Sequence, residues 1–81
     1  MRVRVLYMGM LQDIAGCQAE ELQLSQGASA RDLYAELEQR YPRLQQFRNS
    51  VALAVNYDYS DSGRPLQDND EVALIPPVSG G

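Results

Sequence analysis

Residues 29–41, SARDLYAELEQRY, carry the strongest helical pattern in the chain, and the strands are predicted on either side of it. Ser29 is a favourable N-cap residue, and Asp32, three positions later, resembles the acidic partner of a capping box. The apolar residues recur at steps of three and four, so they form one stripe along a helix. That stripe consists of Ala30, Leu33, Tyr34, Leu37 and Tyr41. Pro42 disfavours helical geometry in the preceding residue, which predicts that the helix ends near residues 40–41.

Two strands are predicted before the helix. Residues 2–8 alternate with period two, and residues 20–24 form a second strand with Leu22 and Leu24 facing inward. The alternation places Val3, Val5 and Tyr7 on one face of the first strand, and Arg2, Arg4, Leu6 and Met8 on the other. Between the two strands, residues 10–16 suit a loop or a helical turn.

Further strands are predicted after the helix. Residues 51–56, VALAVN, form an apolar run suited to a buried central strand. Residues 71–75, EVALI, form the last strand, which is ended by Pro76 and Pro77. Asn69 lies in the tight turn before that strand and can adopt a left-handed conformation at low cost. The remaining core anchors are predicted to be Leu44, Phe47 and Leu66.

The order of elements is two strands, one main helix and two or three further strands. A hairpin, a helix packed across one face of the sheet and a second hairpin make an α+β roll. In such a roll the first and last strands can lie together at the centre of a mixed sheet. The predicted fold is therefore the β-grasp roll of ubiquitin-like proteins, with a flexible Gly-Gly tail at its end. We expect residues 1–77 to form the domain and residues 78–81 to form an extended active tail.

The charged residues limit the chemistry that the side chains can perform. Eleven acidic and seven basic residues give a formal net charge of −4, which argues against nucleic acid as a partner. The seven basic residues are all arginine, and the chain has no histidine, the usual general acid or base near neutral pH. The acidic residues in the loops lack the spacing of a calcium-binding loop, so no metal site is expected.

Cysteine content and hydropathy place the protein in a broad class. The single cysteine, Cys17, cannot form an internal disulfide and lies near Glu20 and Glu21, so we expect it to be incidental. No apolar run approaches the length of a membrane span, and the first five residues alternate like a strand rather than a signal peptide. These features predict a cytoplasmic protein without a membrane partner.

The last four residues, Val78, Ser79, Gly80 and Gly81, point to chemistry at the main chain. Pro76 and Pro77 direct the chain out of the sheet, and glycine can lie flat in a narrow channel because it has no Cβ. A carboxylate is a poor electrophile, so it must first be joined to AMP as a mixed anhydride. Sulfide can then displace AMP and leave a thiocarboxylate. The active group predicted for this chain is therefore the carboxylate of Gly81.

A contact surface is predicted on the sheet face that points away from the helix. Strand alternation puts Leu6, Met8 and Ile75 on that face, and Tyr59 could join them. A contiguous exposed apolar patch is typical of an interface. Our hypothesis is that this patch docks the partners that use the tail.

Three stretches of the chain resemble the family of molybdopterin synthase small (sulfur carrier) subunits. They are VRVLYMGMLQDIAG at residues 3–16, ASARDL at residues 28–33, and AVN followed by PLQDNDEVALIPPVSGG at residues 54–56 and 65–81. The resemblance covers nearly the whole chain. One departure is Asn69, where the family usually has glycine between two aspartates; asparagine can take the same backbone conformation.

The resemblance implies a sulfur-transfer role and a set of partners. An adenylating enzyme related to ubiquitin activators would use ATP to join AMP to Gly81, and a sulfurtransferase would supply sulfur. The thiocarboxylate would then enter the large synthase subunit and sulfurate a cyclic pyranopterin monophosphate. The resemblance further implies that Gly80 allows the tail to thread into a partner's narrow channel. It also implies a heterotetramer of two small and two large subunits. No cofactor is expected on this chain. The partner-binding residues that it implies are Met8, Tyr59, Ile75, Pro76, Pro77, Val78 and Ser79.

Three other functions remain open on the sequence. One is a sulfur carrier of the same fold that serves thiamine thiazole synthesis or tRNA thiolation. Another is a ubiquitin-like modifier conjugated through Gly81 to lysines of target proteins. The third is a non-covalent β-grasp interaction domain in which the tail has no chemical role.

Overall fold

A computed structural model of the protein describes residues 1–59 and 63–77. Four strands and two α-helices make up this part of the chain. In chain order they are β1 (Arg2–Tyr7), α1 (Leu11–Ala15), β2 (Ala19–Gln23), α2 (Ala30–Arg40), β3 (Ala52–Val55) and β4 (Glu71–Ile75). A 3₁₀ helix, Pro42–Phe47, lies between α2 and β3.

The four strands form one mixed sheet in the order β2-β1-β4-β3. β1 and β4 are parallel and central, with Val5 opposite Val72 and Tyr7 opposite Leu74. The pairs β1–β2 and β3–β4 are antiparallel. The first and last strands therefore meet at the centre of the sheet, which confirms the predicted β-grasp arrangement.

The prediction that residues 51–56 form a central strand is wrong. In the part of the chain that the structure describes, β3 pairs with β4 alone and lies at the edge of the sheet. Its side chains explain why the run is apolar without being central. Leu53 and Val55 pair across from Leu74 and Val72 on the core face, and the opposite face carries only the small residues Ala52 and Ala54.

The main helix, α2, begins and ends where the sequence predicts. The Ser29 hydroxyl accepts a hydrogen bond from the Asp32 amide at 3.2 Å, and the Asp32 carboxylate accepts one from the Ser29 amide at 2.9 Å. This is a complete capping box, which satisfies two amides that the first turn of a helix leaves unpaired. At the other end Tyr41 leaves the helical conformation, with φ −127° and ψ 83°, directly before Pro42.

One apolar core lies between α2 and the sheet. Its members, all buried, are Val3, Val5, Tyr7, Leu11, Leu22, Ala30, Leu33, Tyr34, Leu37, Leu44, Val55, Leu66, Val72 and Leu74. The predicted anchors Leu44 and Leu66 are confirmed, and Phe47 packs against the core while partly exposed. Asn69 has φ +70°, which confirms the left-handed turn before β4.

Two buried or half-buried carboxylates support this core. Glu20 accepts hydrogen bonds from the hydroxyls of Tyr7 and Tyr41, whose rings meet edge to face. Glu38, almost fully buried, accepts two hydrogen bonds from the Arg48 guanidinium, at 2.8 and 3.2 Å. A buried charge is costly without a partner, so these bonds allow both carboxylates to lie against the core.

Tyrosine burial makes stability fall at high pH. The Tyr34 hydroxyl donates to the Leu44 carbonyl at 2.7 Å, and burial raises its pKa to about 12. Burial and the hydrogen bond to Glu20 likewise raise the pKa of the Tyr7 hydroxyl. In the unfolded chain a tyrosine ionises near pH 10. Ionisation therefore favours the unfolded state above that pH, whereas below it these groups are protonated in both states.

We expect the free energy of unfolding to fall between pH 10 and pH 12, by up to about 1.4 kcal/mol per pH unit for each such tyrosine. Denaturant titrations at stepped pH values measure it. Tyr34→Phe should be less stable by about 1 kcal/mol at neutral pH, because a hydrogen bond is lost, and should show a shallower fall above pH 10. Tyr57→Phe is the control, since Tyr57 is exposed. Parallel curves for Tyr34→Phe and wild type would contradict the assignment.

Candidate functional site

The predicted active tail lies outside the described residues. Val78, Ser79, Gly80 and Gly81 all fall in the range 78–81, so their roles stay predictions. The described chain ends at Pro77, two residues beyond β4. The site that can be built from the structure is therefore the point where the chain leaves the sheet, together with the surface around it.

The end of β1 fixes this exit point. The Met8 amide donates to the Leu74 carbonyl at 3.1 Å and extends the parallel β1–β4 ladder by one residue. Met8 thereby comes to lie beside Ile75, the last residue of β4. Gly9 follows with φ +53°, and a Cβ added to it would lie 3.1 Å from Cγ of Pro76. The segment 8–9 and the segment 75–76 are thus in direct contact.

Strand parity on the central strands is as predicted. Val3, Val5, Tyr7, Val72 and Leu74 belong to the buried core, whereas Leu6, Ala73 and Ile75 are only partly buried and lie on the face away from α2. Met8 lies on this outer face with 44% of its surface exposed.

The outer face is divided into a charged half and an apolar half. Arg4 lies opposite Glu21 and Glu71, and its guanidinium is 3.9 Å from the Glu71 carboxylate. Arg2 pairs with Glu21 at 3.3 Å. Two residues further along β1, Leu6 lies opposite Ala19 and Ala73. The apolar half is the one that contains the exit point, and we call the set Leu6, Met8, Ala73 and Ile75 the exit patch.

Tyr59 lies in a different setting from the exit patch. It is 64% exposed and lines a groove of about 660 Å³ between α2 and β3, together with Tyr34, Leu53 and Arg48. Ala52, which pairs with Ile75, also lines this groove and joins it to the exit patch. The role of Tyr59 as a partner contact stays a prediction.

Two residues beside the exit point were not singled out from the sequence. Met10, the residue before α1, is 43% exposed, and Gly9 contacts Pro76. The sequence of residues 10–16 predicts a loop or a helical turn, which assigns no direction to the Met10 side chain. The contact of Gly9 is non-local, and the only sequence signal for it is a glycine placed between a strand and a helix.

The remaining groups that could carry chemistry lie elsewhere. Cys17 is partly buried, and burial together with the Glu20 carboxylate raises the pKa of its thiol, which lowers the thiolate fraction. Over residues 1–59 and 63–77 no group of three or more His, Cys, Asp or Glu is arranged to hold a metal ion. Within the same residues, none of the helices has the length and apolar character needed to cross a bilayer.

A family model and individual known proteins point to the same family for this chain. The model of the ThiS family matches residues 5–81. The molybdopterin synthase sulfur carrier subunit of Homo sapiens is 39% identical over 83 residues, covering 99% of this chain and 94% of that protein. The protein of the same name from Mycobacterium tuberculosis is 37% identical over 81 residues, covering 99% of this chain and 98% of its own length.

Solved structures agree with the fold. A putative molybdopterin converting factor subunit 1 from Pyrococcus furiosus is 31% identical with a TM-score of 0.87, covering 96% of this chain and 99% of its own. A chain in the complex of subunits 1 and 2 of the molybdopterin-converting factor from Helicobacter pylori is 28% identical, with a TM-score of 0.69 and full coverage of both chains. Small archaeal modifier protein 1 from Haloferax volcanii, 20% identical with a TM-score of 0.84, covers 95% of this chain and 98% of its own and shares the fold.

The family match and the relatives agree over nearly the full length of this chain. The chain therefore belongs to the ThiS family, and within that family it belongs with the molybdopterin synthase sulfur carrier subunits.

Proposed function

We propose that this chain is the sulfur carrier subunit of a molybdopterin synthase and that Gly81 carries the sulfur. The observation that carries the proposal is similarity over nearly the full chain to proteins of that name, among them the Homo sapiens protein at 39% identity. The geometry supports it, because the chain leaves the sheet beside a partly exposed apolar patch, in which Met8 is the most exposed residue. A tail that must enter a partner needs such a surface around its base.

The proposed reaction has two steps at the main-chain carboxylate. A carboxylate oxygen attacks the α-phosphorus of ATP on an adenylating enzyme, and pyrophosphate leaves. A sulfur nucleophile delivered by a sulfurtransferase then attacks the acyl carbon, and AMP leaves with the bonding electron pair. That nucleophile is the terminal sulfur of a persulfide, so the product is an acyl disulfide. A second thiol then attacks the donor's own sulfur, forms a disulfide with it and leaves Gly81 as a thiocarboxylate, which donates its sulfur to a cyclic pyranopterin monophosphate on the large subunit.

The carrier itself contributes position rather than acid–base chemistry. The described residues that meet at the exit point are Met8, Gly9, Ile75 and Pro76, none of which has an ionisable side chain. The ordered carboxylates of Glu20 and Glu38 are engaged in the hydrogen bonds that support the core. We therefore assign the acids and bases of the reaction to the partner enzymes.

The large synthase subunit is the proposed partner of the exit patch. The similar Helicobacter pylori chain comes from a complex of subunits 1 and 2, which is the pairing proposed here. Met8 and Ile75 are adjacent on the outer face, and Met8 is the more exposed. A few residues near the centre of an interface carry most of its binding energy, and methionine is enriched in interface cores.

The chemistry is tested first by intact-mass measurement. After incubation with its adenylating enzyme, ATP and a sulfur donor, the protein should gain the mass that corresponds to replacing one oxygen by sulfur. A variant that lacks Gly81 should show no gain, because the acceptor carboxylate is displaced.

The control reaction contains a second carrier on which the same enzyme is known to act. No mass gain on this chain, with gain on the second carrier, would refute the proposal. Isopeptide-linked adducts to lysines of other proteins, without a thiocarboxylate, would instead support the modifier function.

Docking through the exit patch is tested with Met8→Arg and Ile75→Arg. Each substitution places a charge where an apolar contact is proposed, and desolvating it should weaken the complex with the large subunit by about tenfold or more. Size-exclusion chromatography of the mixed subunits, followed by titration calorimetry, measures the effect.

Tyr57→Arg is the matched control, because Tyr57 is exposed and follows the end of β3 that lies away from Ile75. We expect this variant to bind like wild type. Undiminished complex formation by both patch variants would rule out the exit patch as the docking surface.

A further inference from the structure

Gly9 shares a left-handed backbone with Gly16 and Gly27, and its proximity to Pro76 distinguishes it from them. It lies in the turn between β1 and α1, with φ +53°. The Leu11 amide donates to the Met8 carbonyl and the Gln12 amide donates to the Gly9 carbonyl, both at 3.1 Å. These bonds hold the turn in one geometry, so the position of Gly9 relative to the sheet is determined.

Gly9 provides the space in which the Pro76 ring lies. A Cβ at position 9 would be 3.1 Å from Cγ of Pro76, inside the 3.5–4.0 Å at which carbon atoms pack favourably. Gly16 and Gly27 also have left-handed backbones, with φ +76° and +87°, and a Cβ at either would meet nothing within 4 Å. The left-handed backbone explains why glycine is favourable at all three positions. Only at Gly9 is the space that a side chain would need occupied by another residue, Pro76.

Pro76 is where the chain leaves the sheet. The preceding residue, Ile75, is held in β4 by its pairing with Ala52. The pyrrolidine ring fixes φ of Pro76 near −65°, so ring position and chain direction are coupled. A contact that locates the ring therefore also locates the direction of the chain beyond it.

We propose that Gly9 is a positioning residue for the adenylation of the Gly81 carboxylate, because it seats Pro76 and so sets the direction in which the tail leaves the domain. This inference rests on the proposed function. Four extended residues span at most about 13 Å, so a tilt of about 10° at the base moves the end of such a segment by about 2 Å. Misplacement on that scale at a reacting carboxylate reduces turnover strongly.

The experiment compares Gly9→Asn with Gly16→Asn. Asparagine accepts left-handed backbone conformations better than most residues, so both variants keep the turn with similar strain. Only Gly9→Asn adds atoms against Pro76. Initial rates of ATP–pyrophosphate exchange by the adenylating enzyme, measured against carrier concentration below the melting temperature of each variant, give kcat and KM.

We expect Gly16→Asn to stay within about twofold of wild type, and Gly9→Asn to lose about tenfold in kcat with little change in KM. Binding through the exit patch is retained, so KM is preserved, while fewer bound complexes place the carboxylate correctly. If Gly9 only stabilised the fold, its substitution would not lower kcat in the folded protein while leaving KM unchanged.

A second arm removes the contact from the other side. Pro76→Ala deletes the ring carbons that face Gly9, and Pro77→Ala deletes those of the next residue. We expect the larger loss of kcat for Pro76→Ala. The Gly9→Asn/Pro76→Ala double variant should be no slower than Pro76→Ala alone, because the two substitutions disrupt one contact. This arm applies even if Gly9→Asn alone does not fold.

The outcomes separate this inference from the proposed function. If wild type is adenylated and Gly9→Asn matches Gly16→Asn, or the double variant shows multiplied losses, then Gly9 is not a positioning residue while the carrier function stands. If wild type is not adenylated by an enzyme active on a second carrier, the proposed function fails and this inference fails with it.

Discussion

The parallel pairing of β1 with β4 is the constraint on which the rest of the structure depends. It joins residues near the two ends of the chain, with Arg4 opposite Glu71 and Tyr7 opposite Leu74. Parallel neighbours require a long crossover, and here the crossover contains β2, α2 and β3. The turn before β4 also fastens to the start of β1, because the Asn69 amide donates to the Arg2 carbonyl at 2.7 Å. The far end of the same ladder places Met8 and Gly9 against Ile75 and Pro76, which creates the exit point.

Because side chains alternate along β1 and β4, one face of this central pair forms part of the core and the other lies on the outer surface. The inward residues build one core with α2 and include the largest buried side chains of β1 and β4. The outward residues change from paired charges at Arg2 and Arg4 to the apolar exit patch within a single strand. Because one strand carries both the core and the patch, a register slip by one residue would bury the arginines and expose the core. The register that stabilises the fold is thus the register that presents the patch.

Features of local origin could be predicted from residue patterns, and the central pairing of the first and last strands could be predicted from the order of elements. Individual contacts and positions that depend on distant residues could not. The capping box of Ser29 and Asp32, the parity of Val3 and Val5, and the turn at Asn69 depend on neighbours within a few residues, and the structure confirms each. The edge position of β3 depends on which strands occupy the centre, and periodicity carries no such information. The setting of Tyr59 depends on how β3 meets α2. The contact of Gly9 with Pro76 joins residues far apart in the chain and required the folded structure.

Among the residues that the structure describes, those at the exit point have no titrating side chain, which is consistent with the kind of chemistry proposed. An ionisable group beside the base of the tail would have to be desolvated each time a partner closed over it, at a cost in binding free energy. Methionine, glycine and proline at this position avoid that cost, and methionine is an unbranched side chain that adapts to different partner surfaces. It follows from the proposed function that the adenylating enzyme, the sulfurtransferase and the large subunit each need the same tail and the surface around it. Under that proposal, any two partners that cover this surface exclude one another on one carrier, so one partner must release the carrier before the next can bind it.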